Sequence, residues 1–313
     1  MSTPSPGARR RHRVTWWGVA AVTAPWLWFV VRAAGGPIDA IGVALPVFGV
    51  LVSLMLFLLA VVLVRPILAA VGVSVVAVTL IATLAPRMPR LTEFPNSPLR
   101  VASANVYEDN EEIPAAVDTF VRRRPDILAV VEMRDDGTFW SALSERPEFP
   151  YGVTRGELGL RSRFPLTRLE APLDLKSWKV MRVAVDGPYG RLIVYVVHGA
   201  NPLHETTFQQ QRDFTERLIA NLEAETDPAI LMGDLNMSDR TLSYRILDGS
   251  LQDAMRTSGW PRSTYHGEIW PIFQLRIDHL FIPPDWCGVG ADTYEVPGSD
   301  HDGIEAVIGP CPT

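Results

Sequence analysis

The chain has 313 residues, enough for one large domain or two small ones. A hydrophobic content of 47% and a mean hydropathy of +0.11 are too high for a purely soluble protein, and no internal repeat or low-complexity tract occurs. Residues 1–97 carry eight arginines against Asp39 and Glu93, a balance of +6; with −6 for the whole chain, residues 98–313 carry −12. That balance argues against tight nonspecific duplex binding, which needs Lys and Arg against several phosphates, without removing nucleic acid as a substrate.

The apolar excess lies in the first 86 residues. Three runs without charge, Val14–Val31, Ala40–Val64 and Ile67–Leu84, each have the roughly 17–25 residues that a helix needs to cross a bilayer. A signal peptide would account for ARRRHR and the first run, but not for all three. The expected arrangement is a membrane anchor of three transmembrane helices over residues 1–85. Pro25 and Pro46 are tolerable kinks, and Trp16, Trp17, Trp26 and Trp28 suit the membrane interface. Arg9, Arg10, Arg11 and Arg13, with Arg65 in the turn before the third run, place the N-terminus in the cytoplasm and everything after Leu84 outside it; Arg32, Arg87, Arg90 and Arg100 weigh the other way. Residues 86–98, with four prolines, read as a short, stiff linker. The last unit, 99–313, holds both cysteines, Cys287 and Cys311, an even pair that suggests a disulfide outside the cytoplasm.

From Leu99 a pattern recurs: a short aliphatic strand, then polar residues. LRVASAN ends at Asn105, DILAVVE at Glu132, RLIVYVVH at His198 and AILMGDLN at Asp234 and Asn236. LRIDHLFIP reads as a strand with Asp278 in its middle, and Asp300-His301 precede a last strand, Ile304–Ile308. Between them, Ile113–Arg124 and Thr207–Glu225 carry apolar residues at helical spacing. Arg122-Arg123-Arg124, the densest basic cluster, reads as a solvated helix cap. Strands alternating with helices, together with the DGPYG hairpin signal, predict a mixed-sheet α/β sandwich. Any one of these polar residues alone is most simply a turn former, a surface acid or a structural histidine. GDLN is sharper, because Gly233 lets the backbone bend while both polar side chains project past the strand end. Six such strand ends in one domain make a site.

The ordered series Asn105, Glu132, His198, Gly233-Asp234-Leu235-Asn236, Ile277-Asp278-His279 and Gly298-Ser299-Asp300-His301 resembles the endonuclease/exonuclease/phosphatase superfamily with its DNase I-like fold. Pro125-Asp126-Ile127-Leu128, Ser162-Arg163-Phe164-Pro165-Leu166 and Gln211-Arg212 add to the likeness, which covers residues 99–309, and the three-helix anchor resembles a bacterial branch of the superfamily. The resemblance implies hydrolysis of a phosphodiester or phosphomonoester with Mg²⁺ or Mn²⁺. It implies Glu132 as principal metal ligand, with Asn105 and Asp300 completing the site. By the same analogy Asp234 orients or deprotonates the attacking water and Asn236 donates to the phosphoryl oxygens. His198 binds the phosphate or assists the leaving group, and His301, oriented by Asp278, serves as general acid/base. Two departures stand out: Tyr107 occupies the position of a second acidic ligand, for which Glu108 or Asp109 would have to substitute, and Asp302-Gly303 follow SDH.

The expected partners are a phosphate-ester substrate (nucleic acid, phospholipid or small phosphodiester) and the bilayer around the N-terminal helices; no protein partner is evident. Two rival readings are a catalytically inactive, membrane-anchored binding module on the same fold and a transport or structural membrane protein. Completeness of the site speaks against the first. The lack of an ionisable residue within the apolar runs speaks against the second.

Overall fold

The computed structural model describes residues 16–176, 178–188, 190–266 and 274–312. The chain forms two compact units, Met1–Pro86 and Arg87–Thr313.

The first unit has three helices long and apolar enough to cross a membrane: α1 (Trp16–Ala34), α2 (Pro37–Val62) and α3, the regular part Pro66–Leu84 of the span Pro66–Arg87. Small and polar side chains lie where these helices meet. A Cβ at Gly49 would collide with the Thr79 side chain, Ser53 Oγ lies 3.2 Å from Gly72 O, and Trp26 Nε1 donates to Ser74 Oγ at 2.9 Å. The first span is not one regular α-helix; it tightens to 3₁₀ over Ala24–Leu27, where Pro25 removes a backbone donor. Pro46 sits inside α2 without ending it. That helix starts earlier than the apolar run, at Pro37, so it takes a buried acid, Asp39, into its first turn, where negative charge suits the helix dipole. The basic residues Arg9 to Arg13 lie outside the described residues.

The second unit is an α/β sandwich of two six-stranded sheets. The first has the order β11–β12–β1–β2–β4–β3, built from β1 (Leu99–Asn105), β2 (Ile127–Val131), β3 (Tyr151–Arg155), β4 (Leu158–Ser162), β11 (Trp286–Glu295) and β12 (Asp302–Pro310). The second has the order β5–β6–β7–β8–β10–β9, from β5 (Leu166–Leu169), β6 (Lys179–Gly187), β7 (Gly190–His198), β8 (Ala229–Asp234), β9 (Gln252–Asp253) and β10 (Asp278–Ile282). Val101, Ile127 and Leu160 of one sheet pack with Val194, Met232 and Leu280 of the other. Helices α4 (Ile113–Arg123) and α5 (Thr138–Ser144) cover the outer face of the first sheet, setting Val117, Phe120 and Phe139 on Ala102, Ala104 and Leu128. Helices α6 (Phe208–Glu223) and α7 (Leu242–Ser250) cover the second, through Phe214, Leu218 and Leu247 on Ile193, Tyr195 and Val197. Central strands are therefore buried on both faces, which is why β2 and β8 read as unbroken apolar runs.

Both sheets are mixed: β1 and β2 are parallel, as are β7 and β8, while most other neighbours are antiparallel. The β6–β7 hairpin turns at Gly187 and Gly190, with φ of 86° at Gly190; Tyr189 lies outside the described residues. Helix α6 begins with a capping box between Thr207 and Gln210. Asp278 opens β10 instead of lying mid-strand, because the N–H groups of Ile277 and Asp278 turn to Thr264 Oγ1, at 3.2 and 3.1 Å. The proline-rich stretch after Arg87 is laid along the second unit: Arg90 N donates to Arg256 O (2.7 Å), Thr92 N to Thr257 O (3.2 Å) and Asn96 N to Pro310 O (2.9 Å). Cys287 of β11 and Cys311, just beyond β12, are joined in a disulfide with Cα atoms 4.9 Å apart.

Candidate active site

Parallel pairing of β1 with β2 and of β7 with β8 sends four C-terminal strand ends to one rim. Asn105 closes β1, Glu132 follows β2, His198 closes β7 and Asp234 closes β8. Asp278, the first residue of antiparallel β10, is the direct cross-strand partner of Asp234. Ser299 Oγ donates to Asn105 O (2.9 Å) and accepts from His301 N (3.0 Å), which fixes His301 at the same rim just before β12.

Two side chains at the rim sit on left-handed backbone: Glu132 at φ 57° and Asn236 at φ 48°. Such conformations cost on the order of 1 kcal/mol or more for residues with a Cβ, and they persist only where surrounding contacts over-determine them. For Asn236 the contacts are plain. Its N–H donates to Asp234 Oδ1 (2.7 Å), its Nδ2 to Gly199 O (2.9 Å), and its carbonyl accepts from Gln211 Nε2 (2.8 Å). Gly233, at φ 137°, has no substitute, since a Cβ there would run into Val197 O.

Three linked groups follow. Asp234 Oδ2 accepts from Asn105 Nδ2 at 3.1 Å and lies 3.8 Å from His301 Nε2. His301 Nδ1 is 2.8 Å from Asp278 Oδ2, and the Tyr265 ring lies 5.0 Å from the imidazole. His198 is bracketed by two carboxylates: its Nε2 is 3.0 Å from Glu132 Oε1, and its Nδ1 bonds Glu157, which also pairs with Lys179 Nζ at 2.9 Å. Ligand atoms of Glu132, His198 and Asp234 lie within 4.8 Å of one another, as do those of Asp234, Asp278 and His301. Asp234 belongs to both sets.

The charges follow from burial and neighbours. Burial opposes charge on His198, but the Glu132 and Glu157 carboxylates overcome it and push the imidazole up to about 10. Burial likewise opposes charge on His301, and Asp278 and Asp234 raise it to about 10. Burial and the charge of Asp278 push Asp234 up to about 7. Burial works against ionisation of Glu132 and Glu157, yet hydrogen bonds from His198 hold both below the usual carboxylate range, Glu157 at about 2 with help from Lys179.

The structure thus brings together Asn105, Glu132, His198, Asp234, Asn236, Asp278 and His301. Asp300 stands beside them: its charge contributes to the field on His301, but it belongs to neither set of converging ligand atoms. Neither Glu108 nor Asp109 joins those sets; Glu108 O and the exposed Asp109 face Arg134. Asp302 pairs with His266 at 2.9 Å. Asn236 Nδ2 donates to Gly199 O at 2.9 Å and lies 3.5 Å from Asp234 Oδ2, so its side chain holds the Asp234 loop.

Sequence reading missed Glu157, in the turn between β3 and β4, and Lys179 at the start of β6. A lone glutamate in RGELGL has no local signature; only the need of buried His198 for a partner at Nδ1 points to one.

Residues 102–301 match the Endonuclease/Exonuclease/phosphatase family. The chain belongs to this family. No curated protein sequence matches the chain. Among solved structures, an endonuclease/exonuclease/phosphatase from Beutenbergia cavernae is similar at 18% identity and a TM-score of 0.56, over 69% of this chain and 72% of that one. The 3′ phosphatase NExo from Neisseria, bound to a product DNA hairpin, is similar at 18% identity and 0.53, over 66% and 98%. Sphingomyelinase C from Streptomyces griseocarneus is similar at 15% identity and 0.51, over 68% and 99%. At these identities the likeness establishes the DNase I-like fold that the family members share.

Proposed function

We propose that the protein is a membrane-anchored, metal-dependent phosphoesterase whose catalytic unit lies outside the cytoplasm. The observation that carries this reading is the position of Asp234, shared between an acidic, metal-competent group and a histidine–carboxylate pair. Glu132 and Asp234, with the side-chain oxygen of Asn105, supply the hard oxygen donors that Mg²⁺ or Mn²⁺ takes, with Asp300 at the edge. The buried Oδ1 of Asp278, without a hydrogen-bond partner among the described residues, shows that the cluster has unmet polar capacity. When bound, such an ion offsets the charge that develops on the phosphoryl oxygens.

The side chains divide the remaining work. Asp234, held at Oδ2 by Asn105 and at Oδ1 by the Asn236 amide, is placed to accept a proton from the attacking water. His301 keeps its proton because Asp278 holds Nδ1, which leaves the Nε2 side facing Asp234 and the reacting phosphate. His198, charged between Glu132 and Glu157, sets a second cation beside the phosphate, where its charge offsets that of the leaving oxygen.

A phosphoester beyond the cytoplasmic face suits a lipid headgroup, a small phosphodiester or extracellular nucleic acid. Support comes from family membership and from structural neighbours that include a DNA 3′ phosphatase and a sphingomyelinase. The test is to assay the full-length protein in detergent with Mg²⁺ or Mn²⁺ against DNA, RNA, sphingomyelin vesicles and bis(4-nitrophenyl) phosphate. Hydrolysis of at least one is expected; hydrolysis of none would remove the proposal.

A further inference from the structure

In chain order Arg87 ends the short 3₁₀ turn Ala85–Arg87 that follows α3, and it is the first residue of the catalytic unit. By composition it reads as an ordinary juxtamembrane arginine. Its guanidinium is instead largely buried, with the side chain 14% exposed, and it bonds in two directions. Nε donates to Asp239 Oδ2 at 2.7 Å, and Nη2 lies 3.3 Å from Ser263 Oγ.

Each partner leads to the active site. Asp239, fully buried, is on the loop after β8 that carries Asp234 and Asn236. It also meets Arg276 at 3.3 Å, and Arg276 stands two residues before Asp278. Ser263 precedes Thr264, whose Oγ1 accepts from the N–H groups of Ile277 and Asp278 and whose carbonyl accepts from Asp302 N (2.7 Å). Tyr265, next along, bridges His301 through its backbone and packs its ring against the imidazole. One guanidinium therefore ties the loop that holds Asp234 to the loop that holds Asp278 and His301.

We propose that Arg87 is a positioning residue of the phosphoesterase site: it clamps the 234–240 and 263–266 loops together from the point where the membrane anchor joins the catalytic unit. This rests on the phosphoesterase reading above. Arg is suited to the task because its planar fork binds two acceptors at a fixed separation, which a lysine ammonium does not do. Asp239 keeps Arg276 and Arg240 as charge partners without Arg87, so loss of the clamp loosens the loops without leaving a buried acid uncompensated.

The test uses full-length protein in detergent, with two readouts, amide hydrogen exchange and turnover of bis(4-nitrophenyl) phosphate with Mg²⁺. Arg87→Ala should speed exchange in residues 235–241 and 263–266 while the α4–α5 side of the domain stays protected. It should lower kcat roughly ten- to hundredfold with KM changed by no more than about twofold, the signature of misplaced reacting groups. Arg87→Lys, which keeps charge at Asp239 but not the span to Ser263, should recover part of the rate and part of the protection. Arg146→Ala, which removes an exposed pair with Asp118, is the control and should match wild type in both readouts. Unchanged exchange in the two loops, exchange raised uniformly across the domain, or an unchanged kcat would each overturn the proposal. If wild type hydrolyses no phosphate ester, the phosphoesterase reading fails by itself and exchange alone decides whether Arg87 is the clamp.

Discussion

Asp234 and Asp278 face each other directly across the antiparallel β8–β10 ladder, and His301 reaches both, at 3.8 Å and 2.8 Å. Two buried carboxylates opposite one another repel, and a protonated imidazole between them removes that repulsion. His301→Ala should therefore lower turnover by about 10²–10⁴ and also destabilise the domain, since it deletes the compensating charge. Adding Asp234→Asn to His301→Ala should restore much of the melting temperature without restoring activity. Equal melting temperatures for His301→Ala and the double variant would show that the pair carries no buried repulsion.

Glu157 was invisible in sequence but holds His198 from the Nδ1 side. Glu157→Gln keeps the size of the side chain and removes the charge. It should reduce turnover about tenfold or more and lower the titration midpoint of His198 in an NMR pH series. A His198 midpoint identical to wild type would contradict the pairing.

The two histidines also set a pH dependence of stability. Both are raised in the folded protein from an ordinary 6.5 to about 10, so their contribution is complete below pH 6.5 and is lost as pH rises through 10. Asp234, raised from 3.8 to about 7, works in the same direction up to pH 7. The melting temperature of the protein in EDTA should fall steadily from pH 7 to pH 10, and His198→Ala or His301→Ala should flatten the decline. A flat wild-type profile over that window would refute the assigned charge states.

Much of the site was legible because of how the sheets are buried. In β2 and β8 every strand residue is covered on both faces, so the runs ILAVV and AILMG are apolar throughout, and the polar residues that end them stand out. Glu132 and Asp234 were visible for that reason, and Asn105 and His198 because each closes a strand whose last residues are buried. Glu157, Thr264 and Arg87 were not, because each acquires its meaning only from a tertiary partner 13 to 152 residues away: the Ile277–Asp278 backbone for Thr264, His198 for Glu157, and Asp239 for Arg87. The partners of residues 86–98 were hidden in the same way: four prolines indicate stiffness, but only the fold shows the hydrogen bonds of Arg90, Thr92 and Asn96 to the second unit. Asp39 shows the limit in the first unit, where hydropathy stops at the first charge but the helix does not.

The Cys287–Cys311 disulfide ties β11 to the end of β12 across 24 residues of sequence. A loop of that size stabilises by about 3 kcal/mol in the chain-entropy model, so Cys287→Ala/Cys311→Ala should melt several degrees lower. The same bond reports on location. Protein taken from cells under alkylating conditions should show no free thiol, and quantitative alkylation of both cysteines would argue against the proposed location of the catalytic unit outside the cytoplasm.

On the proposed function, Asp234 belongs to one metal-dependent hydrolytic centre with Glu132 and His301. Turnover of bis(4-nitrophenyl) phosphate by the full-length protein, stripped with EDTA and titrated with Mg²⁺, beside Glu132→Gln and Asp234→Asn, tests this. Stripped wild type should be inactive and recover on titration, Glu132→Gln should need a higher Mg²⁺ concentration for half-activation, and Asp234→Asn should stay about 10²–10⁴ below wild type at saturating metal. Full activity in EDTA, or wild-type turnover by Asp234→Asn, would contradict it.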